Sequence, residues 1–442
     1  MATDSMLEIA QGAVALAKRK GAGEVAAGAY RVRNVEVQWR DGKVERISEA
    51  TTRGLGLELY VEGRYAAVST SDLRPEAVDR FVEDAVGLTR KLAVDAYRAL
   101  PDPELYRGQA QVDLDLEDPR YGAIDAPRQR RIAEELEAAA RSVKGAGAIL
   151  SVTTGVGDTL AESARVHSNG FVGQKRLTDF GMSAQVSVKD PDGRRPEDWD
   201  AATARHFAAL PAPEQVGRRA AERALGRLGS KKGESRLFTM AVENRSAGRL
   251  LAFLMGPLAA AALQQKRSFL DGKLGARVAS ALLDVTDDPL VPRGLGSRLF
   301  DSEGMAARRF PVFERGVLKS YYVDNYYGRK LGMRPTTRGA SNLAWKLGDR
   351  SRDALLADVK EGILVTGFLG GNSNATTGDF SLGAQGFRVR GGKLAEPVGE
   401  MNVSGNHLEL WNRLVAVGDD PYPYSASRTP TLVFEGVQFA GV

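Results

Sequence analysis

The residues of this chain that could take part in chemistry are few and scattered. There are three histidines, His167, His206 and His407, and no cysteine. No two histidines stand at the His-x-x-x-His spacing that puts both rings on one helical face, so local sequence offers no zinc site. The lack of cysteine removes thiolate nucleophiles and thiolate ligands, and it fits a reducing compartment. His407 is the strongest candidate of the three, because Ser404-Gly405-Asn406-His407 reads as a polar turn. A serine nucleophile needs a base beside it, and the Gly-x-Ser-x-Gly elbow is absent. The nearest string is Phe300-Asp301-Ser302-Glu303-Gly304, in which carboxylates flank Ser302. Gly367-Phe368-Leu369-Gly370-Gly371-Asn372 is glycine-rich, but it lacks the Lys-Ser/Thr of a phosphate loop and the spacing of a dinucleotide fingerprint. The segment from Asn372 to Gly383 is polar between apolar strands, and such groups must bond to one another or to an external backbone. Both readings stay open: an internally bonded loop, or a peptide-binding rim lined by Asn372, Asn374, Thr376, Asp379 and Ser381.

The elements that must position these residues divide the 442-residue chain, which is too long for one ordinary core. With 43% apolar and 26% charged residues the composition is globular, and the net charge of +5 is small against 61 basic and 56 acidic residues. The dense basic clusters, Arg128–Arg131 and Arg218–Arg227, sit among glutamates and read as solvated helix faces, so no nucleic-acid partner is expected. Residues 5–20 read as an amphipathic helix and not as a secretory leader, which places the protein in the cytoplasm with no membrane attachment. Extended runs are predicted at 24–33, 34–47 and 54–60, with Asp41-Gly42 as a hairpin turn, and a helix at 73–92. Prolines at 101, 103, 119 and 127 mark a connector. A helix at 126–143, strands at 148–156, 162–169 and 173–187, and a helix at 213–228 follow. The polar linker Ser230-Lys231-Lys232-Gly233 is taken as the main boundary. The fold class is α+β: a domain 1–229 of helices and antiparallel sheet, with a subdivision near 100–127, and a mostly antiparallel β-rich domain 230–442 with inserted helices.

Within the second domain, no charged residue occurs between Arg249 and Lys266. A helix apolar on every side must be buried or covered by a partner. Gly256-Pro257 interrupts the run, which also falls short of a membrane span.

Taken in order, Ser268-Phe269-Leu270, Phe300–Gly304, Tyr326–Leu331, Thr377–Phe387, Asn402–Asn406, Val415–Asp419 and Thr429-Pro430-Thr431 resemble the TldD/PmbA family. The stretch from Asp41 to Leu73 is similar to the family's first domain. The resemblance covers nearly the whole chain and implies a pair of homologous subunits. One type carries a His-Glu-x-x-x-His helix and a downstream cysteine that bind zinc for peptide hydrolysis. The other, PmbA or TldE, lacks them and completes a heterodimer. Counted without gaps, the zinc-helix positions fall at Leu251–Gly256, with Leu251, Ala252 and Gly256 where ligands and base would stand; the cysteine would fall within Pro421–Arg428. The resemblance is therefore to the PmbA/TldE type.

That resemblance implies a subunit that is inactive alone, with no catalytic residue and no metal or other cofactor of its own, zinc being held by a TldD-type partner. The pair would degrade unfolded peptides or remove leader sequences from modified peptides. Peptide capture would use the groove at Asn372–Ser381 by strand addition to a sheet edge. Homodimerisation of the isolated chain is a further expectation, since the apolar helix needs cover. The alternatives are a stand-alone homodimeric hydrolase built on Ser302 with Glu303, or on His407, and a peptide-binding scaffold.

Overall fold

The computed structural model describes residues 5–442. Helix α1 (Met6–Arg19) begins at a capping box: Ser5 Oγ accepts the Glu8 N–H, and the Glu8 carboxylate accepts the Ser5 N–H. Strands β1 (Glu24–Arg40) and β2 (Lys43–Val61) follow, joined at Asp41-Gly42, where φ values of 47° and 83° supply the left-handed pair that a tight hairpin requires. The three predicted extended runs are thus two long strands. Nothing at Arg33-Asn34 breaks the ladder, which continues opposite Ala50 and Thr51. Strand β3 (Arg64–Thr70) and helix α2 (Pro75–Thr89) complete this part, with Pro75 at the helix start where it has no N–H to lose.

The middle of the chain adds α3 (Ala126–Arg141), β4 (Ile149–His167), β5 (Val172–Val188), β6 (Glu197–Ala204) and α4 (Pro213–Leu225). The strands predicted at 148–156 and 162–169 are one strand, β4, for the same reason as before. All six strands form one antiparallel sheet in the order β3-β2-β1-β4-β5-β6. Helices α1 and α2 bury Ala13, Val82 and Val86 against Leu55, Leu57 and Leu59. Helix α4 buries Ala220 and Ala224 against Val152 and Val186. The α3–α4 approach is close: a Cβ at Gly217 would lie 2.1 Å from Leu136 O, so glycine is required there by space.

The remainder runs β7 (Arg236–Val242), α5 (Asn244–Met255), α6 (Ala260–Gln264), β8 (Val285–Asp287), β9 (Phe310–Glu314), β10 (Val317–Leu318), α7 (Asn325–Leu331), β11 (Leu343–Trp345), α8 (Arg352–Ala357), β12 (Glu361–Ser373), β13 (Asp379–Arg390), β14 (Lys393–Asn406), α9 (His407–Asn412), β15 (Leu414–Val417) and β16 (Leu432–Ala440). The main sheet has the order β14-β13-β12-β7-β16-β15, and β14 also pairs with β16, which bends the sheet toward closure. Strands β7 and β12 run parallel and the other pairs antiparallel. A small sheet, β10-β9-β8-β11, shares the same core, in which Leu250, Leu251 and Leu254 of α5 meet Val285, Phe313 and Trp411. The architecture is α+β.

The uncharged stretch after Arg249 is two helices separated by a turn, and α5 is apolar on one side only in effect: Leu250, Leu251 and Leu254 are buried while Ala252 and Gly256 are exposed. Among the described residues no helix is long and apolar enough to cross a membrane.

Candidate functional site

Strand β12 pairs with β7 only from Gly362 to Val365. Beyond that it is held by β13 alone, and its other edge faces α5. Three carbonyls on this edge are met by side chains: Thr366 O accepts from Ser246 Oγ at 2.8 Å and Arg223 Nη2 at 3.0 Å, and Arg249 donates to Phe368 O at 3.3 Å and Gly370 O at 2.6 Å. A cavity of about 340 Å³ opens here, lined by Trp199, Arg227, Arg245, Arg249, Phe368 and Gln385 among others. Gln385 is 7% exposed and its Oε1 has no partner. Arg245 donates to Asp198 at 3.1 Å and stacks over Trp199, whereas Arg249 bonds only to carbonyl oxygens. The spacing Arg245-x-x-x-Arg249 was readable in the sequence as one helical face; that this face would border an open strand edge was not.

The positions matched to a zinc helix do not share an environment. Leu251 is fully buried in the core, while Ala252 and Gly256 lie on the exposed side of α5 and its end. Of the residues along that side Arg249, Ala252 and Gly256 are exposed, whereas Arg245 turns in to Asp198 and Asp200 and the half-buried Phe253 packs on the His407 ring; α5 itself carries no imidazole or carboxylate. The segment from Pro421 to Arg428 passes near the start of α5, where Asn244 Nδ2 donates to Asp420 O at 2.7 Å, and reaches the middle unit through Tyr422, whose hydroxyl donates to Ala201 O at 3.1 Å.

The five residues placed in a peptide groove all lie at the β12–β13 hairpin end. Asn372 pairs with Ser381 across the ladder, and the Asn374 N–H donates to Asp379 O. Asn372, Asn374, Thr376 and Asp379 are exposed and Ser381 is half-buried. Asn374 Oδ1 accepts the Thr376 and Thr377 N–H groups; Asp379 accepts from Thr377 Oγ1 and Asn406 Nδ2, which hold its carboxyl below the usual range; Ser381 bonds to Asn402. These three side chains are internally bonded, while Asn372 and Thr376 point outward without such a bond.

The histidines occupy three separate settings. His167 Nε2 accepts from Arg165 Nε at 2.8 Å and its Nδ1 meets Tyr106 Oη at 2.9 Å; burial, with Arg165 beside it, pushes it down to about 3. His206 is buried with Nε2 at 3.0 Å from Asp115 O. His407 is not in an exposed turn. Asn406 caps α9, and His407 is fully buried among the rings of Phe253, Phe269 and Phe380, where burial pushes it down to about 4. Its Nε2 lies 2.8 Å from Ser373 Oγ, but its Nδ1 has no partner, so the pair lacks the carboxylate that orients a catalytic histidine and lacks access for a substrate.

Ser302 is exposed and has no base. Asp301 accepts the Glu303 and Met305 N–H groups, and Glu303 Oε2 accepts the Asn325 N–H at 2.9 Å. Burial, with Asp301 and Asp324 nearby, raises Glu303 from 4.5 to about 7. A carboxyl raised in the fold is more readily protonated there than in the unfolded chain. Its contribution favours folding below pH 4.5 and is lost as the pH rises to about 7. Glu303→Gln is therefore expected to melt higher than wild type at neutral pH and to flatten the stability profile across that window, as read by thermal unfolding at a series of pH values.

Three family models match in succession: PmbA/TldA metallopeptidase domain 1 over residues 25–89, the central domain over 119–228 and the C-terminal domain over 235–441. The chain belongs to the TldD/PmbA family. It is 29% identical to metalloprotease PmbA of Escherichia coli O157:H7, covering 100% of this chain and 95% of that one. It is 28% identical to a PmbA homologue of Haemophilus influenzae, covering 97% and 94%. Among solved structures, a protein of Bacteroides thetaiotaomicron named as a candidate modulator of DNA gyrase superposes with a TM-score of 0.96 at 38% identity over the full length of both chains. TldE from Thermococcus kodakarensis shares the fold, with a TM-score of 0.84 at 20% identity, over 98% of this chain and 100% of that one.

A metallopeptidase zinc needs three converging protein donors and a water. Among the described residues of this TldD/PmbA member, no group of three or more histidine, aspartate or glutamate side chains is placed to hold a metal ion. The residues present do not fit a zinc site.

Proposed function

We propose that this chain is the TldE/PmbA-type, non-catalytic subunit of a heterodimeric zinc metallopeptidase that acts in the cytoplasm on unfolded peptides or on leader sequences of modified peptides. Its partner is a homologous TldD-type chain carrying His-Glu-x-x-x-His, which holds the zinc. The observation that carries this reading is α5 itself: where a metallopeptidase helix would present ligands, its exposed positions are Arg249, Ala252 and Gly256, and none of its residues is a histidine, aspartate or glutamate. This subunit's part is to complete the partner and to form one wall of the peptide's path, at the β12–β13 hairpin and on the edge of β12 beyond Gly370, since the carbonyls of Thr366, Phe368 and Gly370 are already met by Arg223, Ser246 and Arg249. An extended peptide can hydrogen-bond to such an edge whatever its sequence.

The test is co-expression with a homologous chain bearing the motif, followed by co-purification, metal analysis of each chain and a peptide-processing assay. Zinc is expected in the partner alone, with processing only by the pair. Replacing Asn372 and Asp379 together by alanine is expected to slow processing about thirtyfold, since two hydrogen bonds of about 1 kcal/mol each are at stake. Stoichiometric zinc on this chain alone would overturn the assignment, and peptide hydrolysis by this chain alone in strong chelator would overturn it in favour of the stand-alone hydrolase with a non-metal site.

A further inference from the structure

A second cavity, of about 390 Å³, lies where the middle of the chain meets the C-terminal domain, away from α5 and independent of the function proposed above. Three pieces of chain wall it: residues 112–117, β5 at 174–176, and residues 298–300. The pairing of β5 with β6 begins only at Phe180, so the earlier part of β5 has an open edge. The 112–117 segment is tied alongside that edge, the Thr178 N–H donating to Leu116 O at 3.0 Å.

The charges of this cavity are unevenly satisfied. Asp115 is taken by Arg293 at 2.5 Å and by His206 Nε2 at 3.1 Å, Glu117 by Arg176 at 2.8 Å, and Asp113 accepts the Asp115 N–H. Asp179, close enough to act on Lys175, is held through both its oxygens by Arg205 at 2.8 and 2.9 Å. The cations fare differently. Arg298 spends its Nη groups on Ala340 O, Gly339 O and Thr337 Oγ1, and its Nε is buried without a partner. The half-buried Lys175 ammonium has no hydrogen-bond or ion-pair partner among the described residues; burial, with Arg205 and Arg298 beside it, pushes it down to about 8. Leucines and Phe300 supply the apolar part of the wall.

We propose that this cavity is a binding site for a small organic anion, a carboxylate or phosphate monoester with an apolar body, whose charge meets Lys175 in the field of Arg298 and whose body packs on Leu114, Leu116, Leu299 and Phe300. A partly desolvated cation with no direct ion-pair partner, its neighbour Asp179 being engaged by Arg205, is unfavourable in the empty protein and becomes favourable when an anion fills the space beside it. The apolar wall selects against bare inorganic phosphate.

The test is calorimetric titration of the full chain with phenyl phosphate, phenylacetate and inorganic phosphate, repeated on Lys175→Met and Lys175→Arg. Lys175→Met keeps the length of the side chain and removes the unpaired charge, so it is expected to fold and to melt at or above the wild-type temperature. The wild type is expected to bind at least one organic anion more tightly than inorganic phosphate, with affinity weakened by about tenfold or more in Lys175→Met and partly kept in Lys175→Arg. A preference for phenyl phosphate assigns the site to phosphate monoesters, and a preference for phenylacetate to carboxylates. No saturable binding of either organic anion by the wild type, or equal binding by a folded Lys175→Met, would overturn the proposal.

Discussion

Arg223→Met is expected to lower the stability of the protein by about 3–5 kcal/mol, because it removes one partner from a buried ion network and leaves the others in place. Arg223 projects from α4 to Glu243 at 2.8 Å, to Asp198 at 3.3 Å and to Thr366 O at 3.0 Å. The Asp198 and Glu243 side chains are 5% and 12% exposed, and one Glu243 oxygen has no partner even in the intact network. Without Arg223, Asp198 keeps Arg245 at 3.1 Å, but Glu243 keeps only Arg352 at 4.0 Å. The loss should appear as a lower urea midpoint. Adding Glu243→Gln to Arg223→Met should restore part of it, since the stranded charge is then gone. An unchanged midpoint in the single variant would show that the network is solvent-screened. Arg223 falls within a basic cluster that the sequence presents as a solvated helix face. The structure corrects this for Arg223, whose partners come from β6, β12 and the start of α5, while Arg218 and Arg219 remain exposed.

Asp301→Ala is expected to cost on the order of 3 kcal/mol, through stranded donors and not through any lost nucleophile chemistry. One Asp301 oxygen accepts the Glu303 and Met305 N–H groups, and the other accepts Thr337 Oγ1 and the Arg338 N–H, each at 2.9 to 3.1 Å. The residue is 4% exposed, so water cannot replace it in full. Asp301→Asn should lose less, because one amide oxygen still serves the first two donors. Ser302→Ala is the control: exposed and without a base, it should shift stability by less than about 0.5 kcal/mol and leave processing by the pair intact. Loss of processing in Ser302→Ala would give the serine a role that its surroundings do not support.

How much of this could be read from the chain depends on the distance over which each feature is encoded. Helix α1 was legible because the helical spacing of Met6, Ile9, Ala13, Leu16 and Ala17 is local, and the β1–β2 turn because Asp41-Gly42 satisfies its own backbone requirement. The continuity of β1 and β4 was not, since it depends on ladders formed with distant strands. His407 looked like a turn residue because Gly405 and Asn406 precede it, yet β14 runs through both and the ring enters a pocket made by Phe253, Phe269 and Phe380. The α+β class and the family were carried by strings spread along the chain. The Lys175 cavity carried no local signal, because its walls come from three segments whose meeting only the tertiary fold decides.

The β1–β4 ladder also bears on how the protein is made. Arg31 and Glu162 face each other across it, 131 positions apart, so on the ribosome β1 emerges long before its second neighbour exists. During that interval one side of a 17-residue strand is an unoccupied template for any passing chain. The strand carries Arg31, Arg33, Glu36 and Arg40 along that length, and like charges meeting in register discourage two nascent chains from pairing through it. The first and central modules of this chain therefore share one sheet, and the backbone of β1 is not fully paired until β4 has been made.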